Sequence, residues 1–93
     1  MTLTQQEAFR NVMVARYPHI PLAVVDHIVN REANRVGNKA LSPASYIPLA
    51  IASVAGYVRH HMTNYDALLA RTMRHIARDK VRPQVHAIIT LWS

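Results

Sequence analysis

Residues 46–66 read YIPLAIASVAGYVRHHMTNYD, and the parsing of this stretch decides how the rest of the chain folds. Its first part, from Tyr46 to Val58, is the most apolar run in the sequence. Ile47, Ile51, Val54, Ala55 and Val58 form one face at helical spacing. Leu49, Ala50 and Ala52 fill the others, so the run reads as a helix buried nearly all round. Pro48 has no backbone N–H and suits a first turn, which predicts a buried central helix over about 48–60. The apolar run is about 13 residues long, short of the roughly 20 that a membrane span needs. Ala52, Ser53 and Gly56 would let neighbouring helices approach closely. A glycine inside a helix costs up to about 1 kcal/mol relative to alanine, so close packing is the expected reason for Gly56. The second part crowds Arg59, His60, His61, Tyr65 and Asp66 into a helix end and a corner.

Outward from this centre the pattern is helical on both sides. Thr4-Gln5-Gln6-Glu7 reads as a capping box. Phe9, Val12, Met13 and Tyr17 then follow at helical spacing, predicting a first helix over about 5–16. Pro18 and Pro21 end it, and Pro21 suits the first position of a second helix. Leu22, Val25, Ile28, Val29, Ala33 and Val36 make that helix's inward stripe, while Asp26, Asn30, Arg31 and Arg35 face out. His27 sits beside the stripe and reads as a boundary histidine with a hydrogen-bond partner. Gly37 is the stop. Residues 38–45, with Lys39, form a connector in which Ser42-Pro43 could cap a first turn. Thr63-Asn64-Tyr65-Asp66 repeats the capping-box logic, and Leu68, Leu69 and Met73 continue a fourth helix. Ala77, Val81, Val85, Ile88 and Trp92 mark the inward stripe of the last segment, ending in the one tryptophan. The pattern fits either a break near Thr72 or one long helix, and Pro83 either kinks or restarts the last one.

Composition agrees with this parsing. Of 93 residues 51% are hydrophobic, none is cysteine and two are glycine. A globular bundle is therefore expected, without disulfides or thiolate metal sites. The expectation is a single all-α domain over residues 1–93, about five helices around the central one. The Met-Thr-Leu-Thr-Gln-Gln-Glu start shows no secretory pattern, so a cytoplasmic location is expected. Eleven Lys+Arg face five Asp+Glu, a formal charge of +6. Nine of the eleven are arginine, the side chain suited to bidentate phosphate contacts. Such a field favours polyanionic partners.

Tyr57-Val58-Arg59-His60, Thr63, Tyr65-Asp66 and Leu68-Leu69, then Arg74, Ala77-Arg78, Val81 and Trp92, carry a resemblance. The chain resembles the bacterial and fungal family named domain of unknown function twenty-two ninety-three, with its pattern VRH-x-x-T-x-YD-x-LL, R-x-x-AR-x-x-V and a late tryptophan. The likeness covers the second half, and the proline-flanked helix and the Arg35-Val36-Gly37 turn also look similar. The family pattern has a glycine between the leucine pair and the next arginine, where this chain has Thr72 or a neighbour. The resemblance implies a fold and brings no activity with it.

Three functional readings follow from the polar residues. Arg71, Arg74, His75, Arg78, Arg82 and His86 fall mostly on one side of the last helix, with Lys80 elsewhere. With Arg59 and His60 nearby, this row could follow a phosphate backbone, in DNA or RNA, each contact releasing counterions. Aromatic residues are too few for base stacking along a single strand. The plain alternative is a solvated basic face, including an Arg78–Asp66 or Arg82–Asp79 pair. The second reading is a protein-interaction module that docks an acidic partner or self-associates through helices one and five. The third and weakest is a metal-assisted hydrolase at His60 and Asp66, with Tyr65 and Arg59 assisting. It lacks an evident nucleophile or phosphate loop. Adjacent histidines also diverge by about 100° on a helix, so His60 and His61 would not share one ion. A polar network of Arg59, His60, Tyr65 and Asp66 locking the corner explains those residues better. The expectation is a nucleic-acid-binding module whose contacts are Arg59, His60, Arg71, Arg74, Arg78 and Arg82, with no cofactor and no membrane.

Overall fold

A computed structural model describes residues 1–37 and 41–93; the connector position Lys39 lies outside the described residues. The chain is all-α: α1 (Leu3–Arg16), α2 (Leu22–Val36), a 3-10 turn (Pro43–Ser45), α3 (Tyr46–Met62), α4 (Tyr65–Leu69) and α5 (Arg74–Trp92). No strand occurs among the described residues. None of the helices is long and apolar enough to cross a membrane.

The ends of the helices follow local chemistry, in places one turn away from the expected position. α1 starts at Leu3 rather than Gln5. Thr2 takes the cap, its Oγ1 accepting the Gln5 N–H at 3.1 Å while Gln5 Oε1 accepts the Thr2 N–H at 2.8 Å. The box is thus Thr2–Gln5, and Thr4 is an ordinary first-turn residue. Pro21 stands just before α2 rather than inside it, its carbonyl accepting the N–H groups of Val24 and Val25. Gly37 ends α2 with a φ of +62°, backbone that glycine takes without Cβ strain. Pro43 opens the 3-10 turn. Pro48 falls in the first turn of α3, where its missing N–H has no carbonyl to meet, so the helix begins two residues earlier than expected.

α3 is central, touching α1, α2, α4 and α5, but it is not buried all round. Its interior line is Tyr46, Ala50, Val54 and Val58, four residues apart. Ile47 and Ile51 are exposed by 50% and 39%, because the neighbouring helices cover one side of α3 and leave that edge to solvent. On α2 the expected stripe holds at Val25, Ile28 and Val29, which are buried, while Val24 joins it and Leu22 is 68% exposed. Phe9 and Met13 of α1 and Val25, Ile28 and Val29 of α2 complete the main core. Trp92 closes it as an anchor from the last turn of α5, and its carbonyl accepts the His19 N–H at 2.9 Å. Gly56 does not serve close packing: a Cβ built there meets nothing within 4 Å.

The second half resolves both open points. α4 ends at Leu69, and the chain turns through Ala70–Met73, with the Arg71 and Thr72 N–H groups donating to the Leu68 carbonyl. Met73 is therefore an exposed residue preceding α5 and no part of α4. Of the two expected roles of Pro83, a restart does not occur: α5 runs through it. A smaller cluster of Tyr65, Ala77 and Val81, flanked by Leu68, Leu69 and Val85, joins α4 to α5.

Candidate nucleic-acid interface

The end of α3 delivers Arg59 and His60 into the corner that precedes α4. Thr63 closes this corner. Its Oγ1 donates to the Arg59 carbonyl at 2.5 Å and accepts the Tyr65 N–H at 3.2 Å. No reciprocal box forms with Asp66, because Asn64 is the cap and the Asp66 carboxylate has another partner. That partner is His60, whose Nδ1 lies 2.6 Å from Asp66 Oδ1. Tyr65 is buried beneath both neighbours: the Arg59 guanidinium sits 5.5 Å from its ring centroid, and the His60 ring meets it edge-on at 5.1 Å. A cation over an aromatic face is attracted by the ring quadrupole. The polar network read from the sequence is thus present, and it fixes the direction of Arg59.

Arg59 points towards α5. Together with Arg78, Arg82 and Val85 it lines a cleft of about 160 Å³. Arg78 and Arg82 are one turn apart on α5, with Arg74 one turn earlier. Burial holds the Arg59 guanidinium below its ordinary pKa, the Arg78 charge adds to that, and Tyr65 partly opposes it. Guanidinium is nonetheless protonated at any neutral pH. Arg82 pairs with Asp79 at 2.7 Å. Among the described residues neither Arg59 nor Arg78 has a carboxylate partner, and the Arg78–Asp66 pair does not form. Chemically, this is a cationic cleft whose charges repel one another, and an oxyanion would relieve that repulsion.

The expected contact set is divided by the fold. Arg59, Arg78 and Arg82 converge. Arg74 continues the row as the first residue of α5, and Arg71 lies on the preceding turn; both are exposed, outside the cleft. His60 is turned away towards Asp66 and borders a different groove, between α2 and α3. His61 diverges again, stacked on Tyr57 at 4.5 Å with His27 edge-on to both rings. His27 makes aromatic contacts in place of the expected hydrogen bond. Among the described residues no three His, Asp or Glu side chains converge as metal ligands.

The α2–α3 groove contains what the sequence reading passed over. Glu32 is 7% exposed, the one buried charged residue among those described, and its Oε2 accepts from both Nε and Nη2 of Arg35 at 2.7 Å. Its position four after Ile28 and three after Val29 puts it on the interior line of α2, a signal that was available. Across the groove, Ser53 Oγ is buried with no hydrogen-bond partner.

Residues 12–93 match the family described as Uncharacterized conserved protein (DUF2293). That match spans most of the chain, which therefore belongs to this family. No curated protein and no solved structure matches it.

Proposed function

We propose that this DUF2293 chain is a small nucleic-acid-binding module of the cytoplasm that grips phosphates with the arginines of α5 and Arg59. One observation carries the reading: Arg59 and Arg78 line one cleft, and among the described residues neither has a carboxylate partner. Within a folded protein such an arrangement costs stability, since both burial and Arg78 disfavour the Arg59 charge. A phosphate oxygen between them would turn that cost into two charge-assisted hydrogen bonds. Arg74, one turn before Arg78 on α5, and Arg71, on the turn that precedes the helix, add exposed positive charge beyond the cleft for further phosphate contacts. The net charge of +6 adds long-range attraction. The cleft reads backbone charge, and no base-stacking platform accompanies it.

The test is direct. Binding of the chain to duplex DNA, to RNA and to heparin is measured at low salt, then repeated with Arg74→Ala and Arg78→Ala combined. The expected outcome is binding to a nucleic acid that the double substitution weakens at least about tenfold, as loss of charge-assisted contacts implies. No nucleic-acid binding at low salt removes the reading. Binding that the double substitution leaves intact moves it to another surface.

A further inference from the structure

We infer that the groove between α2 and α3 is a second binding site, for a small ligand bearing an oxyanion, carboxylate or phosphate. It is distinct from the arginine cleft: the two share no lining residue. Three observations meet there. The groove encloses about 170 Å³, below the roughly 300 Å³ of drug-sized pockets, which limits the occupant to a small molecule or a single group. Ser53 lines the groove, and its Oγ is buried without a hydrogen-bond partner, whereas a buried hydroxyl is ordinarily satisfied. Gly56 lines the same groove although a Cβ would meet nothing within 4 Å. A mid-helix glycine is unfavourable, and here no helix neighbour explains it; the missing side chain keeps the groove open.

Charge selects the class of ligand. Glu32 lines the groove, yet Arg35 already engages it through two nitrogens. Arg31, on the same wall, has no carboxylate partner among the described residues. The unmatched charge is therefore positive. Arg31 supplies the charged donor for an oxyanion, and the Ser53 hydroxyl supplies a neutral one. Leu49 and Ile28 provide apolar walls for whatever short body carries the oxyanion.

The experiment uses the full chain labelled with nitrogen-15, titrated separately with inorganic phosphate and with acetate. The backbone amide shifts of Ser53, Gly56 and Arg31 are followed. To keep the arginine cleft from contributing, the titration is repeated on Arg78→Ala. Saturable movement of the Ser53 and Gly56 amides with either ion, retained in Arg78→Ala, is expected, and the ion that saturates first identifies phosphate or carboxylate. Arg31→Ala, at an exposed position, weakens the apparent affinity at least about tenfold. Gly56→Leu, which fills the groove, abolishes the movement. The site is overturned by no saturable movement with either ion, or by movement that persists unchanged in Arg31→Ala. Shifts confined to Arg59, Arg78 and Arg82 would also overturn it while leaving the nucleic-acid reading intact.

Discussion

The two apolar clusters of the molecule differ in size and in what stands on them. The larger contains thirteen buried residues drawn from α1, α2, α3, the turns around them and Trp92. The smaller has three, Tyr65, Ala77 and Val81, and the arginine row stands on it. Val85 packs against both and joins them. Buried apolar area scales with stabilisation at roughly 25 cal/mol per Å², so the main core carries the fold and the α4–α5 corner is held more lightly. A surface that carries repelling arginines is tolerable there because Thr63, Tyr65 and the His60–Asp66 pair fix the corner by hydrogen bonds and ring contacts. The main core runs along α3 from Tyr46 to Val58, and the proposed binding surface begins where that line ends, at Arg59.

The largest expected effect lies in the main core. Phe9→Ala removes a fully buried ring and leaves a cavity, which typically costs about 3–5 kcal/mol. That is a large part of the roughly 5–14 kcal/mol expected for a chain of this length. Urea unfolding measures it, and a loss below about 1 kcal/mol would show that the main core does not carry the fold. A matched pair sharpens the contrast. Val54 and Val81 are equally buried, at 0% and 1%, one in each cluster. Val54→Ala should cost roughly 2 kcal/mol and Val81→Ala less, because the small cluster can relax around the cavity. In hydrogen exchange, Val81→Ala should lower protection over residues 77–85 while leaving α1–α3 protected; uniform loss would mean one cooperative unit. The smallest effect has the opposite sign. Gly56→Ala adds a methyl where nothing stands within 4 Å and should stabilise by about 0.5–1 kcal/mol in thermal unfolding. A loss instead would mean that the groove is tighter than its geometry.

Much of this was legible from residue order. The five helices, Gly37 as a stop, Trp92 as an anchor and the corner network of Arg59, His60, Tyr65 and Asp66 followed from spacing, backbone chemistry and residue type. Val25, Ile28, Val29, Val54 and Val58 are buried as expected, and the edges of the two stripes, at Leu22, Ile47 and Ile51, are not. On α2 and α3 apolar residues outnumber the interior positions, so periodicity allows several stripes, and the neighbouring helices decide that Ala50 is buried while Ile51 is exposed. The cap of α1 was misplaced because Thr2 and Thr4 both precede glutamine or glutamate by three, and only the fold picks one. At the site, the arginine row was readable as a helix face. That Arg59 joins it while its neighbour His60 turns to Asp66 depends on the angle between α3 and α5. Glu32 carries no signal of a groove, and Ser53 reads only as a small residue for close helix approach, because a groove exists only between helices and neither helix alone contains it.

If Arg59, Arg78 and Arg82 form the proposed phosphate grip, the salt dependence of binding must register each of them. The dissociation constant for duplex DNA is measured from low to physiological salt for the chain and for Arg78→Ala. The predicted result is a log–log line for the unaltered chain whose slope falls by about 0.9 in Arg78→Ala, the loss of one phosphate contact. An unchanged slope in Arg78→Ala, or affinity that does not vary with salt, would contradict it.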